Sequence, residues 1–202
     1  MADEVFSPNK LRSIVAARGG FATSEKFEVI FTASKWNLSS IGINSDFKYL
    51  CENVALPTKS ISGTDKFIYG INYQMPYRHA YPEIAMTFYC TKHMAEKKAF
   101  DKWQNGIVNP HTGDLSYYDE YTCDITVKKF HKDAVDFTKP VYAIKLEKAW
   151  PSIVAEIQLT HSAGNEITRL PVTFQYKKWR TVGTTGSQLS TEVHQLAGTA
   201  LQ

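Results

Sequence analysis

The sequence predicts a mainly β fold: an antiparallel β-barrel or two-sheet sandwich with one flanking α-helix. Three observations predict it. Apolar and polar residues alternate in several separate stretches, the period of a strand with one buried face. Clusters of Gly, Pro, Asn and Asp, not regular helices, separate those stretches, which argues against a parallel α/β sheet. One internal segment, residues 92–107, changes to a helical period.

In chain order, SPNKLRSIVAARGG (7–20) reads as a short helix. Ser7 stands at its N-cap, Pro8 at its first position, and Gly19-Gly20 ends it. Leu11, Ile14 and Val15 form its apolar stripe. KFEVIFTAS (26–34) alternates, with Phe27, Val29 and Phe31 on one face and Ile30 an exception. Residues 36–47 read as a polar loop or hairpin, and FKYLCENVALP (47–57) as a strand ended by Pro57. Residues 58–82 hold Gly63, Gly70, Pro76, Pro82 and several tyrosines without a clear period, so this stretch is expected to be irregular. IAMTFYCT (84–91) is a strand with Met86, Phe88 and Cys90 on one face.

In KHMAEKKAFDKWQNGI (92–107), Ala99, Phe100, Trp103 and Ile107 mark the buried side of a helix. Glu96, Lys97, Lys98, Asp101 and Lys102 mark its solvated side, and Asn105-Gly106 is its expected end. YTCDITVKKF (121–130) alternates, and HKDAVDFTKP (131–140) is a polar connection. VYAIKLEKA (141–149) and SIVAEIQLT (152–160) read as two strands around Trp150-Pro151. Proline gives no N–H to a ladder, so this pair is expected to mark a corner, with Pro151 opening the second strand and Trp150 filling the bend near Trp103. ITRLPVTFQYKKW (167–179) is the last strand, with Val172, Phe174 and Tyr176 on one face. Residues 183–202 are polar, with Leu189, Val193, Leu196 and Ala200 at helical spacing. The chain therefore divides into an N-terminal helical extension (1–20), a β domain (21–180) and a C-terminal tail (181–202).

At 202 residues the chain suits one domain with extensions. Its 23 basic and 20 acidic residues leave a net charge of +3, too balanced to announce nucleic-acid or anionic-membrane binding. No apolar run approaches the ~20 residues of a membrane span, and MADEVFSPNK has no apolar signal region. Cys51, Cys90 and Cys123 are widely spaced and odd in number, which fits buried thiols in a reducing cytoplasm better than disulfides or zinc.

Signatures of catalysis or of a cofactor are absent: no phosphate-binding loop, dinucleotide fingerprint, metalloprotease motif or nucleophile elbow. His131 with Asp133 and Asp136 reads as a solvated loop, and Glu147 with Glu156 as polar strand positions before a glycosidase pair. Lys177, Lys178 and Arg180 read as a solvated strand end. Tyr69, Tyr73, Tyr77 and Tyr81 with Arg78 fit either a stacking surface for single-stranded nucleic acid or a protein interface. The small basic excess favours the interface.

Several motifs recur in a telling order: VALP (54–57), IAMTFYC (84–90), AFDKWQNGI (99–107), AWP (149–151), NEI (165–167) and VTFQYKKW (172–179). Over roughly residues 21–180 this order resembles the tail-tube family of contractile-tailed bacteriophages. The resemblance implies a structural protein, not an enzyme, whose core includes Phe100, Trp103, Trp150, Pro151, Phe174 and Trp179. It implies hexameric rings that join sheets between neighbours and stack into an inner tube through which DNA passes. The expected partners are further copies of the chain, adjacent tube or baseplate proteins and the sheath, in a virion tail assembled in the host cytoplasm, with no membrane and no cofactor. The same fold serves tube-initiating baseplate proteins and the tubes of contractile secretion systems and bacteriocins. The terminal extensions and VNPHTGD (108–114) point to an initiator over the main tube subunit, and both readings stay open.

Overall fold

The computed structural model describes residues 7–33, 38–132, 139–161 and 166–183. Helix α1 (Pro8–Ala17) precedes β1 (Phe27–Thr32), and a short 3-10 turn leads to α2 (Phe47–Leu50) and β2 (Cys51–Val54). A hairpin follows, β3 (Ser60–Ile68) and β4 (Ile71–Ala80), then β5 (Ile84–Tyr89), α3 (Ala95–Ile107) and α4 (Tyr118–Tyr121). The chain continues through β6 (Cys123–Lys129), β7 (Tyr142–Val154), β8 (Arg169–Gln175) and β9 (Lys178–Thr181).

The main sheet runs β1-β6-β7-β8-β5-β2, every neighbour antiparallel, and β9 also pairs with β7. Strand β7 serves two layers. Its first part, through Ala149, pairs with β6, and Ile144–Glu147 also pair with β9. From Trp150 onward it pairs with β8. The result is two antiparallel layers that share one bent strand, the mainly β architecture expected from the alternating patterns.

The bend lies just before Trp150-Pro151. Cys123 stands opposite Ala149 and Ile125 opposite Leu146, so Asp124 alone faces both Glu147 and Lys148. This is a bulge, and Lys148 adopts φ +57 within it. Side chains hold that left-handed residue in place. The Asp124 carboxylate accepts the Lys148 N–H at 3.1 Å, and the Tyr118 hydroxyl donates to the Lys148 carbonyl at 3.2 Å. The Lys148 ammonium pairs with Asp119 at 2.7 Å, and Lys145 pairs with Asp124 at 2.8 Å.

The expected break at Pro151 is therefore corrected: β7 is continuous, Pro151 is buried opposite Phe174, and residues 155–160 form no strand. From Trp150 to Val154 the strand has, among the described residues, a ladder neighbour on one side only, where a missing N–H is tolerated. Gln104 of α3 covers the other side and donates to the Ser152 carbonyl at 3.4 Å.

Burial tends to raise the Asp124 pKa, but the hydrogen bonds from Lys145 and the Lys148 N–H, with both ammonium charges, outweigh it and hold the carboxyl below its usual value. A depressed carboxylate stabilises the fold fully above its unfolded pKa of about 3.9, and that contribution is lost as pH falls through the lower folded value. Asp124→Asn should therefore lower stability at pH 7 and reduce the difference from wild type under acid. Urea midpoints measured from pH 2 to 7 test this, and an equal gap at every pH contradicts it.

Three further stretches differ from their sequence patterns. Residues 47–50 form a helical turn before β2, not a strand; the turn places Phe47 in the core. The stretch 167–179 is two strands in different layers, β8 and β9, divided at Tyr176-Lys177. Helix α3 passes through Asn105-Gly106 to Ile107, which is buried, and Ser116 caps the end: its hydroxyl donates to the Gly106 carbonyl at 2.7 Å and its N–H to that of Ile107 at 3.0 Å.

Helix α3 packs Ala99, Phe100, Trp103 and Ile107 into the core. Phe31, Phe47, Phe88, Phe100, Trp103 and Phe174 meet there at ring-centroid distances of 5.2–6.4 Å. Glu96 is not on the solvated side; it is 2% exposed. Its carboxylate accepts the Thr91 N–H at 2.8 Å and the Thr91 hydroxyl at 3.0 Å, in the first turn where the helix dipole favours an anion.

Helix α1 begins at Pro8 and buries no residue, and Ser7 stands at its N-cap without a side-chain bond. Asp133, Asp136, Asn165 and the apolar positions from Leu189 to Ala200 lie outside the described residues.

Candidate functional site

The stretch expected to be irregular is a regular hairpin, and it forms the most distinctive surface of the molecule. Strands β3 and β4 pair from Ser60↔Ala80 to Ile68↔Ile71 and make a two-stranded sheet of their own. Tyr69-Gly70 closes the hairpin with φ +52 and +82, the two-residue turn whose twist matches its strands and whose second position suits glycine. At about 3.4 Å per residue, ten residues of β4 extend about 30 Å.

Cross-strand partners share a face, so Tyr73 lies beside Lys66 and Met75 beside Thr64. Tyr73, Met75 and Tyr77 follow at alternate positions and are exposed. Ile61 and Phe67, at alternate register, are exposed on the opposite face, Phe67 at 75%. The register shifts by one residue near Ser62 and Gly63, and the Arg78 guanidinium lies 5.5 Å from the centre of the Tyr77 ring. Tyr69, at the tip, is fully exposed. Tyr81 stands apart from this group: half-buried, it packs on Tyr176 at 6.4 Å at the hairpin's base. Trp179 is half-buried at the same base and donates its indole N–H to the Thr58 carbonyl at 3.4 Å.

Among the described side chains of β3 and β4 none is buried, which explains why the sequence shows no alternation there. The legible signal was Tyr69-Gly70 between two runs with aromatic and β-branched residues. Contiguous exposed aromatic and aliphatic side chains beside an arginine have the composition of a protein interface. The edge of β1 away from β6, which has no strand partner among the described residues, adds a second feature. It borders a groove of about 480 Å³ lined by β1 and residues 38–48.

The remaining predicted residues fall elsewhere. Phe100, Trp103, Pro151 and Phe174 are buried. Trp150 is half-buried and meets Tyr121 edge-on at 6.3 Å, while the Tyr121 carbonyl accepts the Trp103 indole N–H at 2.8 Å; Tyr121 thus links the two tryptophans.

Of the two carboxylates that invite a catalytic reading, Glu147 has structural partners. Glu147 pairs with Lys178 at 3.3 Å and Arg180 at 2.9 Å across the β7–β9 ladder, so the basic strand end is not simply solvated. Glu156 is exposed. Among the described residues, no group of three or more His, Cys, Asp and Glu side chains is placed to hold a metal.

Burial pushes the Cys51 thiol up to about 12 and Cys123 well above its ordinary value. Burial, with the nearby charge of Glu96, raises Cys90 as well. Protonated, buried thiols are poor nucleophiles. Aromatic disulfide reagents at pH 7.5 should therefore leave Cys51 and Cys123 unmodified until urea unfolds the chain; rapid labelling of either in the native protein contradicts this placement.

Comparison with known proteins agrees with this architecture. The family model described as phage tail tube protein matches residues 22–182. Curated protein sequences show no match. Among solved structures, a chain of the anti-feeding prophage baseplate, in a 6-fold symmetrised reconstruction, is similar at TM-score 0.59 and 12% identity, over 82% of this chain and 97% of that one. A chain of the sheath/tube terminator of PVC, an extracellular contractile injection system, in its extended state is similar at TM-score 0.56 and 15% identity, over 80% and 96%. One from the PVC sheath-tube complex is similar at 0.53 and 14%, over 88% and 99%. With the family match spanning most of the chain, from just before β1 to just past β9, the chain belongs to the phage tail tube protein family.

Proposed function

We propose that this chain forms a six-membered ring of the inner tube, or of its junction with the baseplate, in a contractile phage tail, and that DNA passes through the ring during ejection. The observation that carries this reading is the β3–β4 hairpin, which among the described residues pairs only with itself and exposes Phe67, Tyr73 and Tyr77. In the proposed assembly Tyr69, Tyr73, Tyr77 and Arg78 meet neighbouring subunits or unlike tube and baseplate proteins, and Tyr81 anchors the hairpin's base. The open edge of β1 joins the sheet of the next subunit, which removes an exposed ladder by closure between chains.

Support for six-fold symmetry comes from the 6-fold symmetrised baseplate that holds a similar fold, and support for a sheath partner from the sheath-tube complex that holds another. The near-neutral charge suits a conduit, since a strongly basic lining traps phosphates. A second reading, the tube of a contractile injection particle outside a phage, is favoured by the origin of those similar folds. The rival single-stranded nucleic-acid binder predicts steep salt-dependent binding. Mass photometry of the purified chain at rising concentration, alone and with baseplate tube proteins, tests the ring: a species of six subunits supports it, and a monomer throughout counts against it.

A further inference from the structure

Both layers line an apolar groove of about 610 Å³. Phe27, Val127, Val141 and Tyr142 form one wall, from β1, β6 and the start of β7, and Val54 and Leu56 form the other. Leu56 and Val141 are more than half exposed there. Lys129 stands in the first wall, opposite Phe27 in one ladder and Tyr142 in the other. Its ammonium donates to the backbone carbonyls of Glu25 and Phe130, and among the described residues it meets no carboxylate.

The hairpin carries the complementary set. Asp65 and Phe67 are two residues apart in β3, so they share a face, the one opposite Tyr73. Phe67 is exposed and Tyr69, at the tip, is fully exposed. Asp65 is exposed and has no ion-pair partner among the described residues. A groove of this volume takes a drug-sized ligand, and so has room for two aromatic side chains.

The tip that fills a groove must come from another copy. Leu56 lies four residues before Ser60, so the groove stands at the base of the chain's own hairpin. From there the nine residues of β3 run about 30 Å to the tip. Each copy therefore presents an apolar tip with an anion at one end and an apolar groove with a cation at the other.

We infer that the hairpin of one copy seats Phe67 and Tyr69 in this groove of a neighbouring copy, with Asp65 facing Lys129. The inference rests on reading the chain as a self-assembling subunit, and it names the acceptor of the hairpin. Tip and groove are different patches, so the contact is head to tail: each copy gives one tip and receives one. Such a contact either closes into a ring or runs on as a stack.

Photo-cross-linking tests it, with p-benzoylphenylalanine in place of Val141 in the full chain. Light and heavy-isotope copies are mixed and concentrated until they assemble. Illumination should join position 141 to residues 65–69, in pairs of one light and one heavy copy. Assemblies whose cross-links stay within one chain, reach another segment of the neighbour, or do not form overturn the inference and leave the ring reading standing. A chain that is monomeric at every concentration and with baseplate tube proteins overturns both. Complementation gives a second readout free of the added probe. Phe67→Asp with Tyr69→Asp, and separately Leu56→Asp with Val141→Asp, should each weaken self-association at least about tenfold. Mixed in equal amounts, the two variants should associate with each other, because an intact tip then meets an intact groove. Self-association of either variant at wild-type strength, or a mixture no stronger than its parts, overturns the inference.

Discussion

Trp103→Ala should destabilise the protein by about 3–5 kcal/mol, the range for deleting a large aromatic from a packed core. Trp103 is 2% exposed and sits where the helix meets both layers. Its ring is stacked with Phe100 at 6.4 Å and 12° and meets Phe31 at 6.4 Å and Phe174 at 6.2 Å. These neighbours come from α3, β1 and β8, so the cavity is bounded by separate elements that cannot all relax into it. The substitution also removes the indole N–H that the Tyr121 carbonyl accepts. Trp103→Phe keeps one apolar ring while losing the donor and part of the ring volume, so it should cost less than the alanine variant. Urea unfolding measures both. A loss below about 1 kcal/mol for the alanine variant contradicts the placement of this side chain.

The second large effect is expected in assembly, not in folding. Tyr73→Asp with Tyr77→Asp puts two charges on the exposed face of β4. Aromatic hot spots at the centre of an interface cost about 2 kcal/mol or more when lost, so ring formation should need at least tenfold more protein or fail. The same variant should unfold within about 0.5 kcal/mol of wild type, because neither side chain is part of the core. Analytical ultracentrifugation and urea titration read the two quantities separately. Normal assembly of this variant removes the hairpin from the interface.

Both predictions bear on what a sequence can reveal. Elements with one buried face were legible: Met86 and Phe88 in β5, Ile125 and Val127 in β6, Val172 and Phe174 in β8, and the stripe of α3 all lie where alternation or helical spacing puts them. The hairpin was illegible for the complementary reason. None of its described side chains is buried on either face, so no buried face imposes a period on it. The corner in β7 was legible in outline, since Trp150-Pro151 flags it, but the turning residue is Lys148. Nothing about lysine advertises φ +57; Asp124, Tyr118 and Asp119 impose it from other parts of the chain. Glu96 misled for a related reason: a charge at a polar helix position is buried by a partner, Thr91, that arrives from the preceding turn. The division between β8 and β9 is likewise tertiary. Glu147 draws Lys178 and Arg180 to the first layer, while Phe174 belongs to the second.

The proposal that this chain builds rings meets its most direct test in cryo-electron microscopy of the purified protein, concentrated alone and seeded with baseplate tube proteins. The account predicts six-membered rings, single or stacked, with the β3–β4 hairpin lying across subunit boundaries. Particles that stay monomeric in both conditions, or rings in which the hairpin points into solvent, would contradict it.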